Sequence, residues 1–234
     1  MADLLLKTDC LTFLQGVSSG SVDLILTDFP YYISRDTGFQ NGGKPQYRRI
    51  KISKDFGKWD KEENRVNLPR VCQEFYRVLR KGGTAIAFYD FWALTNLRDW
   101  MGDAGFRMLR TIEWVKTNPV PLNQRATYLG NARELAIVGA KGSKPTFHGK
   151  YDNGLYSFPT YHAKDRFHPT QKPLNLFEAL MAKHSNPREI VLDCFLGSGT
   201  AAVAARRLNR QIWGCELDSG YYQKLRRRLR DYEE

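Results

Sequence analysis

Apolar runs alternate with amphipathic stretches along the whole chain, a pattern that predicts strands interleaved with helices. Leu4-Leu5-Leu6 reads as a short first strand, and a helix follows near Leu11. Val22 to Thr27, with Leu24, Ile25 and Leu26, reads as a buried strand that stops at Asp28. Tyr32 to Trp59 is rich in Gly, Lys, Arg and polar groups and predicts a long basic loop. Leu68 to Leu79 has helical spacing (Val71, Phe75, Val78, Leu79), with Arg80-Lys81-Gly82-Gly83 expected to supply the cations of its last turn and the glycines beyond. Thr84 to Tyr89 predicts a strand, Trp92 to Ala104 a helix stopped by Gly105, and Arg107 to Lys116 and Glu134 to Gly139 two more strands. Pro173 to His184 predicts a helix, Ile190 to Cys194 a buried strand, and Thr200 to Leu208 a helix of small residues. Gln211 to Glu216 and Tyr221 to Tyr232 complete the series as a strand and a basic helix. The range 117–167 holds many prolines, asparagines and glycines and reads as an insert that carries recognition rather than core. The alternation implies an α/β sheet with helices on both faces, where ligands bind at the carboxyl ends of the strands.

Length and composition narrow this picture. The 234 residues suit one sizeable domain with a full core, and 42% apolar with 13% aromatic residues fits a folded protein. The formal net charge of +11 points to a polyanionic partner without distinguishing DNA from RNA or an acidic membrane. Cys10, Cys72, Cys194 and Cys215 form no CxxC pair, and no His/Cys cluster has zinc spacing, so reduced thiols and no metal are expected. The start Met1-Ala2-Asp3-Leu4 has no signal-peptide pattern, and no apolar run approaches the roughly 20 residues that span a bilayer. A cytoplasmic protein with no membrane partner is expected.

Two motifs carry chemistry. Asp193-Cys194-Phe195-Leu196-Gly197-Ser198-Gly199-Thr200 follows a predicted strand and opens a helix. Its glycines permit a tight turn, and the helix start behind them offers free amides to an anion. A further strand ends at Glu216, an acid about twenty residues on, where ribose hydroxyls can be held. These features point to an adenosine cofactor. Ala202 completes a GxGxxA spacing, so the glycines alone leave NAD open. The other motif, Asp28-Phe29-Pro30-Tyr31, ends a predicted strand; taken alone it is compatible with a plain turn.

Together with His168-Pro169-Thr170-Gln171-Lys172-Pro173 and Trp114-Val115-Lys116-Thr117-Asn118-Pro119, these motifs resemble the amino-methyltransferases of DNA, specifically their beta class, over about Leu4 to Tyr222. The family's catalytic motif reads (D/N/S)PP(Y/F/W) and its cofactor motif DPFxGSGT, in the order found here. The resemblance implies one methyltransferase domain over residues 1–234 with a Rossmann-like fold. That fold has a mixed seven-stranded sheet, helices on both faces and a circularly permuted motif order. It implies methyl transfer from S-adenosylmethionine to an exocyclic amine of a flipped-out base, without a metal.

An aromatic amine is a poor nucleophile because its lone pair is delocalised into the ring. A carboxylate at Asp28 and the backbone carbonyl of Phe29 can each accept one amine hydrogen, and Tyr31 offers a face on which the base can stack. Asp at the first motif position favours adenine N6 over cytosine N4. The resemblance also places Asp193, Phe195, Gly197, Ser198, Gly199, Thr200, Thr170 and Lys172 at the methionine end of the cofactor. Glu216 and Leu217 fall at its ribose and Asp9 and Cys10 near its adenine. Asp28 also belongs to the cofactor set, as does His168, which reads as a turn residue rather than an acid or base. Asp9 reads equally as a helix cap.

Phe29 departs from the family, where proline is usual. It motivates a rival reading, a catalytically impaired DNA-binding homologue; transfer to the cytosine amine or to RNA are the others. Arg35, Lys44, Arg48, Arg49 and Lys51 crowd the loop at residues 34–59 beside the catalytic motif, with Arg125 and Arg133 in the later insert. These cations are the expected DNA contacts. The resemblance further implies double-stranded DNA as partner, a bacterial or phage origin, and a homodimer and a cognate restriction enzyme as candidate partners.

Overall fold

The computed structural model describes residues 3–30, 66–119, 132–160 and 171–231. In chain order it has β1 (Leu4–Lys7), α1 (Cys10–Gln15), β2 (Val22–Asp28), α2 (Leu68–Val78), β3 (Leu79–Tyr89), α3 (Leu94–Ala104), β4 (Arg107–Lys116), β5 (Arg133–Ala140), β6 (Leu155–Phe158), α4 (Leu174–His184), β7 (Ile190–Asp193), α5 (Thr200–Arg207), β8 (Gln211–Glu216) and α6 (Ser219–Arg230). A single turn of 3-10 helix, Phe91–Ala93, precedes α3.

The strands form one sheet in the order β1-β8-β7-β2-β3-β5-β4-β6. Among the described strands only β5 runs against its neighbours; β1, β8, β7, β2 and β3 are parallel, as are β4 and β6. Both faces are covered. Along β2, Ile25 packs with Phe13, Val71, Phe75 and Met101 of α1 to α3, while Leu24 and Leu26 pack with Leu176, Phe177, Val203 and Leu225 of α4 to α6. That alternation is the two-residue period of a strand buried on both sides. In α5, Ala201 to Ala205 are all buried, so small side chains let the helix lie close to the sheet and to α4.

The chain leaves β2 through α2 toward β3 and leaves β7 through α5 toward β8, in opposite directions across the sheet. The neighbouring carboxyl ends of β2 and β7 therefore form a topological switch point, where open α/β sheets bind ligands.

Three features differ from the sequence expectation. Among the described residues the sheet has eight strands, not seven, because Leu155–Phe158 pairs with β4 from Glu113 to Lys116. The Trp114 indole adds a 2.9 Å bond to the Phe158 carbonyl. Part of the range 117–167 is therefore core: β5 lies between β3 and β4, and Ala136, Ile137, Ala140 and Tyr156 are buried. Finally, α2 passes directly into β3, so Arg80 is a strand residue rather than a last-turn cation. Its guanidinium pairs with Asp23 on β2 and Glu189 just before β7, tying three parallel strands together. Among the described residues, no helix is long and apolar enough to cross a membrane.

Candidate active site

A cleft of about 520 Å³ opens at the switch point, within the usual range for small-molecule sites. Its walls bring together Asp9, Cys10, Asp28, Phe29, Pro30, Lys172, Asp193, Phe195, Gly197, Ser198, Thr200, Glu216 and Leu217, which are far apart in sequence. Thr8, Leu11, Val66, Asn67, Phe177, Ala201 and Tyr221 line it as well and escaped the sequence reading. Asn67 left a signal, since its side chain caps α2 by accepting from the Arg70 amide at 3.1 Å, immediately before Leu68-Pro69. Tyr31, His168, Thr170, Arg35, Lys44, Arg48, Arg49, Lys51 and Arg125 lie outside the described residues. Arg133 opens β5 with an exposed side chain, 3.2 Å from the Glu113 carboxylate.

One wall is the turn between β7 and α5. Gly199 has φ +75° and caps α5, and a Cβ there would lie 2.2 Å from Leu225 Cδ1, so both conformation and space require glycine. Gly199 faces Leu225 and does not line the cleft. The Leu196 amide donates to the Cys215 carbonyl, fastening the turn to β8. Glu216 ends β8 beneath the turn; its Oε2 accepts from the Gly197 amide and its Oε1 from the Asp218 amide, both at 2.8 Å. Burial holds the Glu216 carboxyl above its usual range, although both amides pull it down. Each oxygen keeps a second lone pair for a ligand hydroxyl.

Asp193 lies under the turn. Its Oδ1 accepts from Thr27 Oγ1 at 2.6 Å and from the Phe195 amide at 3.0 Å. Burial outweighs these bonds and raises its pKa from 3.8 to about 7. A raised folded pKa gives stability that is complete below about pH 4 and lost as pH rises through about 7. Asp193→Asn keeps the accepting oxygen and removes the charge. The variant is therefore expected to match the wild type near pH 4 and to exceed it by on the order of 4 kcal/mol at pH 8 in urea unfolding. A difference that stays constant across that window would refute the buried-acid assignment.

The opposite wall is the end of β2. The Phe29 amide donates to the Phe88 carbonyl at 3.1 Å, and its ring is buried against Phe75, Tyr89 and Phe195, with centroids 5.9, 6.0 and 5.4 Å away. An aromatic anchor thus holds this turn where the family uses a proline. Asp28 meets Lys172, whose Nζ is 2.5 Å from Asp28 Oδ2 and 2.9 Å from Glu134 Oε2, with the Phe88 ring face 5.4 Å away. Burial lowers the Lys172 pKa, but the two carboxylates more than compensate and keep it above the usual lysine value. Asp9 lines the cleft and caps α1 through the Thr12 amide at 3.0 Å.

The chain has relatives of known family and fold. A model of the DNA methylase family matches residues 22–227. The type II methyltransferase M2.DpnII of Streptococcus pneumoniae is 28% identical over 97% of this chain and 89% of its own, and M.HinfI of Haemophilus influenzae is 27% identical over 97% and 68%. Among solved structures, the M1.HpyAVI complex with SAM superposes with a TM-score of 0.69 at 25% identity, covering 96% of this chain and 98% of that one. The cytosine-N4-specific PvuII DNA methyltransferase reaches 0.72 at 15% identity over 97% and 86%, a likeness of fold. With the family matched across nearly the whole chain and Asp28, Lys172, Asp193, Gly197 and Glu216 gathered around one cleft, the NAD alternative falls, and the chain belongs to the DNA methylase family.

Proposed function

We propose that this protein transfers a methyl group from S-adenosylmethionine to the N6 amine of adenine in double-stranded DNA, on a base turned out of the helix. The observation that carries the proposal is the meeting of Asp28 with the glycine turn and Glu216 in one cleft at the switch point. Asp28 at the first motif position supports adenine over the cytosine amine.

The cleft suits the cofactor. Glu216 is placed for ribose hydroxyls, and the turn before α5 offers the amides of a helix start to a carboxylate. S-adenosylmethionine would supply an activated methyl on a sulfonium. The protein's part is positioning and electrostatics. Asp28 accepts one amine hydrogen and the Phe29 carbonyl the other, which draws the lone pair out of the ring and toward the methyl. The nitrogen becomes a strongly acidic ammonium on methylation and releases a proton, so Asp28 needs no strong basicity beforehand. Lys172 occupies one lone pair of Asp28 Oδ2 and fixes the plane of the carboxylate. The cations of the 34–59 loop and Arg125 belong to the same proposal as phosphate contacts. A bacterial restriction-modification setting, in the cytoplasm, follows the type II naming of the relatives.

Incubation with labelled S-adenosylmethionine and unmethylated DNA, followed by nucleoside mass spectrometry, tests this reading. N6-methyldeoxyadenosine is the expected product. N4-methyldeoxycytidine would replace the base assignment, and cofactor binding with no product would overturn catalysis.

A further inference from the structure

Behind Asp28 lies a row of charges that links three of the motifs through a residue outside them, Glu134. Asp28, Lys172, Glu134 and Lys116 alternate in sign, with contacts of 2.5, 2.9 and 2.7 Å between successive members. They come from β2, the segment before α4, β5 and β4. The reversed direction of β5 makes this possible. Its first residues arrive at the edge where the parallel strands end, so Glu134, paired in register with Trp114, lies across β3 from Asp28 and reaches the same Lys172 ammonium. Lys116, the last residue of β4, lies over the Trp114 ring at 5.3 Å.

We propose that Glu134 is a positioning residue for the methyl transfer: braced by Lys116, it holds the Lys172 ammonium against Asp28 and so fixes the carboxylate that accepts from the target amine. The inference rests on the function proposed above and extends it to two residues that do not line the cleft. Lys172 is almost wholly buried, its side chain 3% exposed, and a buried ammonium needs more than one acceptor to stay charged and in place. Asp28 accepts a hydrogen bond from it, Glu134 stands 2.9 Å away as a second ion-pair partner, and the Phe88 ring closes a further side. Glu134 would itself be costly to bury. Burial pushes its carboxyl up, but Lys172 and Lys116 pull it below its usual value, so it is a full anion. The row is neutral as a whole, two anions and two cations, which is the condition under which such a chain is tolerated in a partly dry site. Asp193 on β7 also faces Asp28, and Glu216 lies beyond it.

Glu134→Gln keeps the shape and removes the charge. It is expected to lower kcat about 10- to 100-fold, because a misplaced acceptor costs rate rather than affinity. S-adenosylmethionine binding should stay within about threefold, since Glu134 lies outside the cleft wall. The basic limb of the pH–rate profile should move down by about one unit or more, as Lys172 loses an anion that keeps it protonated. An NMR titration of the Lys172 side chain reads the same shift without turnover. Lys116→Met should move the Lys172 titration the other way, upward, because Glu134 then answers to Lys172 alone. This second variant decides the matter if Glu134→Gln does not fold. Opposite shifts in the two variants are a result that a merely structural role would not give. A Glu134→Gln variant of a methylating protein with unchanged kcat, or a Lys172 titration indifferent to both substitutions, would overturn the proposal. A wild type that methylates no DNA would instead defeat the proposed function, and the titration would still decide whether the charge row works as described.

Discussion

Asp28→Asn is expected to lower the single-turnover methylation rate about 10²- to 10³-fold, the usual cost of removing one preorganised hydrogen-bonding group from a reacting centre. The substitution changes no shape, so the loss follows from acceptor count. A carboxylate can accept from Lys172 and from the target amine together; a carboxamide has one accepting oxygen. If that oxygen stays with Lys172, the amide NH2 faces the amine, donor against donor. If it turns to the amine, the NH2 faces a buried ammonium. Neither orientation draws the amine lone pair out of conjugation. The variant should still fold, because Lys172 keeps Glu134 at 2.9 Å. Cofactor binding measured by calorimetry should change by less than about tenfold, as the glycine turn and Glu216 are untouched. A variant that kept more than about a tenth of the wild-type rate would remove Asp28 from the chemistry.

The second large effect is on stability. Phe29 is 2% exposed and packs on Phe75, Tyr89 and Phe195, which belong to α2, β3 and the glycine turn. Phe29→Ala should lower the unfolding free energy by about 3–5 kcal/mol, the range for deleting a buried phenylalanine, as measured by urea titration. A loss below about 1 kcal/mol would mean that the ring is not packed as described. Phe29→Pro restores the family's residue but removes the amide that donates to the Phe88 carbonyl and most of the ring volume. It should therefore lose stability and gain no rate. A large gain in rate from a near-zero wild type would identify the aromatic as the cause of an impaired site. The buried ring and the intact strand end beneath it speak for an adapted turn rather than a damaged one.

Much of the fold was legible because its signals are local. The bounds of β4 and β8 coincide with the predicted strands, and α3 ends at Gly105 as read, in a left-handed conformation that few other residues adopt. The glycine turn, the acid ending β8 and the strand-ending Asp28 were legible for the same reason. Each is a few consecutive residues whose types fit one backbone geometry. Other features resisted prediction. Leu155–Phe158 is only four residues long and becomes a strand through pairing with β4 and the Trp114 indole bond. Arg80 looked like a helix-ending cation because sequence shows its neighbours Lys81, Gly82 and Gly83 but not Asp23 and Glu189, which occupy it in the fold.

The amino-acid sequence by itself determined the α/β class, the order of the motifs and the chemical types at the ends of β2, β7 and β8, since propensity, periodicity and turn chemistry act over a few residues. Only the tertiary structure decided who partners whom. Lys172 stands 144 positions from Asp28, and nothing in its own segment marks it as that carboxylate's partner. Glu134 joins them because β5 reverses direction within the sheet. Charge pairing acts through space over a few ångströms, and the sheet, not the order of residues, sets those distances.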